Sequence, residues 1–220
     1  MNNTVVLACP TLRNEIEFAW QMSNSSLLVY FLPQRLHNDP KELHDYLQNM
    51  IDSFYNVKRI VICVSRCGGG TSNLLASSAE LVLPRTRDCL DILLSGDSLE
   101  TLQRDIEGVY FTKSWMDFSK NSDLDLGKLT AKMGKESAEA YLVSLYKHFN
   151  KFYIIDTGCY DLNEVEEYVS PLVKILNGSI TILKGNFNIL HKIAQGKFDN
   201  DFVTVRQGEM VSTASFLKNW

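Results

Sequence analysis

The sequence predicts a three-layer α/β fold: a mainly parallel sheet with helices on both faces, doubly wound, and a short C-terminal edge strand. Three observations predict it. The apolar runs are short and rich in β-branched residues, and most are separated by stretches carrying helix signals. The third is that the uncommon residues, cysteines among them, fall directly after those runs, at the edge where open α/β sheets bind ligands. Composition agrees, since 220 residues that are 45% hydrophobic and 22% charged match ordinary globular domains. The chain reads as a single domain over residues 1–220, with two pseudo-halves meeting near residues 121–135.

Taken in order, Thr4 to Ala8 is the first expected strand and Leu12 to Met22 its helix. Ser26 to Leu32 is the second strand. Asn38-Asp39-Pro40 then gives the clearest helix start in the chain, because cap-competent side chains precede a proline suited to the first helical position, and the helix is expected to run to Phe54. Arg59 to Val64 and Glu80 to Leu83 follow as strands, with a helix expected over Ser72 to Ser78 between them and another over Asp88 to Ser95. Between residues 97 and 129 the pattern weakens: Gly108 to Thr112 reads as a strand and Asn121 to Gly127 as a polar loop. Glu136 to Phe149 and Asp161 to Leu176 carry helical patterns around the strand Phe152 to Ile155. Ser179 to Leu183 is a further strand, and Phe202 to Val205 the edge strand.

Charge and cysteine usage narrow the function. Lys and Arg number 22 against 26 Asp and Glu, a net charge of -4, and the basic residues are scattered, which argues for a small-molecule substrate and against nucleic acid or an anionic membrane. The five cysteines are odd in number and sparse, as in a reduced intracellular protein. Leu7-Ala8-Cys9 lacks the preceding basic residues and the long apolar run of a signal segment, and no run approaches a membrane span. The cytoplasm is the expected location.

The residues after each strand are the candidate site. Cys9 ends the first, His37 follows the second, Cys67 to Thr71 follow the third, and Arg85 to Cys89 the fourth; Asp156 to Cys159 follow the fifth. Thiolates and a neutral imidazole suit zinc, so Cys9, His37, Cys67 and Cys89 form the expected metal set, with buried cysteines acting as small hydrophobes the competing reading. An iron-sulfur cluster on Cys9, Cys67 and Cys89 is a further alternative, against which stands the lack of Cys-x-x-Cys spacing. Gly68, Gly69, Gly70 and Thr71, before an expected helix, form either an anion or cofactor cradle or a tight turn that needs glycine. Arg85 is placed to hold an anionic group and Asp88 to orient a ligand or cap a helix. Arg87 reads either as the second arm of a clamp with Arg85 on a carboxylate or phosphate, or as solvated. Trp115 reads as a ligand cover or core, and Asp156 as a ligand, a base or a turn former.

The ordered set Leu7-Ala8-Cys9 with Glu15, Leu36-His37-Asn38 with Pro40, Cys67-Gly68, Pro84-Arg85 with Asp88-Cys89, Tyr110 with Trp115, and Asp156-Thr157-Gly158 resembles the domain of unknown function 1638 family. Val64-Ser65-Arg66 stands where that family typically carries Tyr-Gly before its second cysteine. The resemblance implies an association with corrinoid-dependent methyl transfer in methanogens and other anaerobes. It places motif positions on Cys9, His37, Cys67, Arg85, Asp88 and Cys89, and none on Cys63 or Cys159. A zinc-thiolate protein acting on a small thiol or anionic substrate is the implied function, as a zinc-dependent methyltransferase if it is an enzyme. The alternative is a non-catalytic accessory that binds a corrinoid protein or a methyltransferase subunit.

Overall fold

The computed structural model describes residues 3–216 except 97, 98, 100, 101, 103 and 106, so part of the weakly patterned segment after residue 96 lies outside the described residues. The fold is α/β, with mainly parallel strands and helices around them. The chain divides into two compact units: residues 1–102 with 186–220, and residues 103–185. Residues 121–135, the expected meeting place of two halves, fall inside the second unit.

The first unit carries a five-stranded sheet in the order β2-β1-β3-β4-β8. β1 (Thr4–Ala8), β2 (Leu28–Phe31), β3 (Arg59–Cys63) and β4 (Glu80–Pro84) run parallel, and β8 (Phe202–Val205) closes the edge antiparallel to β4. The central strands are apolar on both faces, as covered parallel strands must be: Val6, Leu7, Ala8, Ile60, Val61, Ile62 and Cys63 are fully buried. The edge strand β2 instead alternates exposed and half-buried positions.

One face is covered by α2 (Pro40–Ser53). Asp39 caps it by accepting from the backbone N–H groups of Lys41 and Glu42 at 3.0 and 2.9 Å, with Pro40 in the first turn. Leu43, Leu47 and Ile51 recur every fourth residue and pack against Val5, Leu7, Ile60 and Ile62. Each such buried side chain contributes about 1.5–3 kcal/mol. The remaining helices are α1 (Arg13–Met22), α3 (Cys89–Leu94) and α8 (Asn188–Ala194); α8 packs with both others.

The helix expected over Ser72 to Ser78 does not form. A single 3-10 turn, Cys67–Gly69, is the only helical geometry among the described residues between β3 and β4. The backbone there pairs with the segment after β8: Asn73 N–H donates to the Val211 carbonyl, Val211 N–H to Leu74, and Ala76 N–H to Glu209, each at 2.9 Å. Asn73 also adopts φ 61°, outside the helical region.

The second unit holds a parallel three-stranded sheet in the order β5-β6-β7: β5 (Gly108–Phe111), β6 (Lys151–Asp156) and β7 (Ser179–Lys184). Its helices are α4 (Lys113–Asn121), α5 (Leu126–Met133), α6 (Lys135–Leu145) and α7 (Leu162–Ile175). Phe111, Met116, Phe152, Ile154, Val165, Val169 and Val173 form its core. No helix among the described residues is long and apolar enough to cross a membrane.

Candidate functional site

The first sheet has its topological switch point between β1 and β3, because the chain leaves β1 for β2 on one side and then crosses to β3 on the other. In open α/β sheets the crevice beyond the carboxyl ends of such strands binds ligands. Ala8 pairs with Cys63, and Cys9 N–H donates to the Cys63 carbonyl at 3.2 Å, which places Cys9 at that crevice. The chain then turns through Pro10–Leu12 into α1, where Glu15 is wholly buried in the first turn.

Cys9 is the hub of the site. The turn through Pro10 folds the Thr11 hydroxyl back to 3.0 Å from Cys9 Sγ, and the same hydroxyl donates to Cys89 Sγ at 3.3 Å. Donation from Cys89 is the largest influence on the Cys9 thiol and holds its pKa well below the ordinary thiol range, against burial; His37 and Thr11 act in the same sense. Conversely, the hydrogen bond to Cys9 raises the Cys89 thiol, and burial adds to it. His37 is raised chiefly by its hydrogen bond to Cys9, with the charges of Cys9 and Asp88 reinforcing. These directions favour the thiolate at Cys9 and the protonated ring at His37, and keep Cys89 as the thiol.

His37 reaches this position from a 3-10 turn, Gln34–Asn38, fixed by fully packed Leu36. Cys89 is the first residue of α3. Asp88 caps that helix, accepting from Leu90 N–H at 3.0 Å and Asp91 N–H at 3.3 Å, so its capping role is realised. Arg87 is buried rather than solvated: its guanidinium grips Asp91 at 2.6 and 2.8 Å, and its own N–H adds a third bond at 3.0 Å. Nothing local marks this pair in the chain, because an Asp four residues after an Arg is also common on exposed helices. Arg85 is exposed, and its N–H donates to the Asp201 carbonyl at 2.8 Å.

Cys67 sits half-buried in the loop after β3, its thiol pushed up to about 12 by burial and by the negative charge of Cys9 and Asp88. That loop is tied to the next: Cys67 N–H donates to the Arg87 carbonyl at 2.9 Å, and Ser65 Oγ lies 2.5 Å from Thr86 Oγ1. Its glycines are needed for turning and close packing. Gly68 and Gly69 have φ of 67° and 97°, and a Cβ on Gly70 would lie 2.8 Å from Leu43 Cδ2. The Thr71 hydroxyl donates to the Ser65 carbonyl at 2.8 Å. With no helix after it, the expected anion cradle at a helix N-terminus is not built there.

Cys63 is buried in β3, and burial raises its thiol. Cys159, Asp156 and Trp115 belong to the second unit. Thr157 Oγ1 lies 3.1 Å from Cys159 Sγ, Asp156 forms a turn by accepting from Gly158 N–H at 2.9 Å, and Trp115 packs edge-on against Phe111 in the core. Thr11 is the functional residue that sequence reading missed; its signal was the two-residue spacing from Cys9 across a proline.

Among the described residues, no group of three or more His, Cys, Asp or Glu is gathered in a way that could hold a metal ion. Cys89 and His37 each reach Cys9, but the expected set Cys9, His37, Cys67 and Cys89 does not assemble as one donor cage. A family profile described as protein of unknown function (DUF1638) matches residues 31–194, a span that holds His37, Cys67, Asp88 and Cys89 and begins after Cys9 and Thr11. No curated protein and no solved structure matches the chain.

Proposed function

The chain belongs to the domain of unknown function 1638 family, and from the side chains gathered at its switch point we propose that it works by thiol chemistry, with Cys9 as the nucleophile toward a small electrophilic substrate. One observation carries this reading: the Thr11 hydroxyl bridges the Cys9 and Cys89 sulfurs at 3.0 and 3.3 Å, at a thiol that Cys89 and His37 both act to lower. These neighbours favour the thiolate at Cys9, the form that attacks. Cys9 is only 4% exposed, so the substrate is small.

In this reading His37 is the counter-ion of the thiolate and the proton donor to whatever leaves. Asp88 acts electrostatically on His37, and Arg85, exposed beyond β4, is the candidate holder of an anionic group on the substrate. Iodoacetamide, a small alkylating reagent, tests the reading: Cys9 is expected to be modified first at neutral pH, and Cys9→Ser to abolish that fast phase. Slow modification of Cys9 alongside a fast Cys67 contradicts it.

Zinc on the same side chains is the second reading, favoured by the meeting of Cys89 and His37 at Cys9 and opposed by the lack of a three-donor group. Elemental analysis of protein purified without oxygen or chelator separates the two.

A further inference from the structure

The contact between Cys9 and Cys89 does more than tune one sulfur. Both thiols share the Thr11 hydroxyl, at 3.0 Å from Cys9 Sγ and 3.3 Å from Cys89 Sγ. Each is mounted on a fixed element: Cys9 is stitched to β3 through its backbone, and Cys89 begins a helix locked by the Asp88 cap and the buried Arg87–Asp91 pair. At 4% and 8% exposure the two are shielded alike, and the shared Thr11 hydroxyl places Cys89 to reach a group bonded to Cys9. Cys67 lies in the loop after β3 with its thiol pushed up to about 12, and Cys159 contacts Thr157 in the other unit.

We propose that Cys9 and Cys89 form a reversible dithiol–disulfide pair in which Cys89 is the resolving thiol and the substrate is a low-molecular-weight disulfide. This rests on the reading of Cys9 as the nucleophile and names its substrate class. In the first step the Cys9 thiolate attacks one sulfur of R–S–S–R; the S–S bond breaks, Cys9–S–S–R forms, and the departing thiolate takes the proton held by His37. In the second, the Cys89 sulfur attacks Cys9 Sγ, its proton passes to the second departing thiolate, and a Cys9–Cys89 bond replaces the mixed disulfide. The substrate gains two electrons and leaves as two thiols, while the pair is oxidised. An external small dithiol returns it to the reduced state.

Cystamine is the probe, followed by intact-mass and peptide mass spectrometry on the full chain. Wild-type protein is expected to release both halves of cystamine as cysteamine and to yield peptides joined through Cys9 and Cys89, reopened by dithiothreitol. Cys89→Ser and, independently, Cys89→Ala are expected to stop at a cysteamine adduct on Cys9 that accumulates about ten-fold or more over wild type. The linked wild-type peptide keeps the proposal falsifiable should either variant fold poorly. A wild-type chain that retains the Cys9 adduct beside a free Cys89 overturns the resolving role and leaves Cys9 as the nucleophile. Adducts on Cys67 or Cys159 with none on Cys9 overturn both. Stoichiometric zinc that blocks both steps until it is removed overturns the redox role.

Discussion

The Arg87–Asp91 pair carries the strongest stability prediction, because it is buried and it sets the turn from which Cys89 projects. Its side chains are 8% and 0% exposed, and three hydrogen bonds of 2.6, 2.8 and 3.0 Å join them. Asp91→Ala leaves a guanidinium buried without its carboxylate, and Arg87→Ala leaves the carboxylate buried without its guanidinium. Either is expected to cost about 3–5 kcal/mol, the range for removing one member of a desolvated pair. The double change Arg87→Met with Asp91→Leu removes both charges together and is expected to recover most of that loss. Urea-dependent hydrogen exchange in β1, β3 and β4 measures it, since those strands report on the first unit by itself. Single-variant losses below about 1 kcal/mol, the worth of an exposed pair, refute the reasoning.

Three further expectations are smaller or directional. Cys9 is lowered in the fold, so the stability it lends is present above the unfolded thiol range and lost as pH falls through its folded value; His37 is raised, so its share is present below the unfolded imidazole range and lost as pH rises through its folded value. Alkylation of Cys9 is therefore expected to hold its rate into mildly acidic solution, and His37→Ala to move the profile toward higher pH; coincidence with the profile of urea-unfolded protein contradicts this. Asp39→Ala, which removes the cap of α2, is expected to cost about 0.5–2 kcal/mol in the same exchange measurement. Gly70→Ala forces a methyl to within 2.8 Å of Leu43 and is expected to cost about 1–3 kcal/mol, with exchange protection falling first in residues 66–71.

Much of this was legible in the chain. Thr4–Ala8, Arg59–Cys63 and Glu80–Pro84 announced themselves through unbroken β-branched and aliphatic runs, which central parallel strands require. Asp39-Pro40 marked α2, because capping is local chemistry. The division into two sheets was not legible, since strand patterns do not say which strands pair. Leu74, Leu75 and Ala76 look helical by composition, yet their backbone is claimed by residues 209–211, a long-range choice that no local propensity reveals. At the site, Cys9, His37, Cys67, Asp88 and Cys89 were visible as strand-end residues. Which thiol is lowered was not, because that depends on Cys89, His37 and Thr11 arriving beside one sulfur from separate loops.

The central claim is that Cys9 rests as a thiolate. Its most direct measure is the ultraviolet thiolate absorbance of the reduced protein titrated downward from neutral pH, compared with Cys9→Ser, because absorbance does not depend on a reagent reaching a buried sulfur. The wild-type chain is expected to keep one thiolate equivalent below neutral pH that the variant lacks. Identical titrations, with no thiolate absorbance until the ordinary thiol range, would contradict the account.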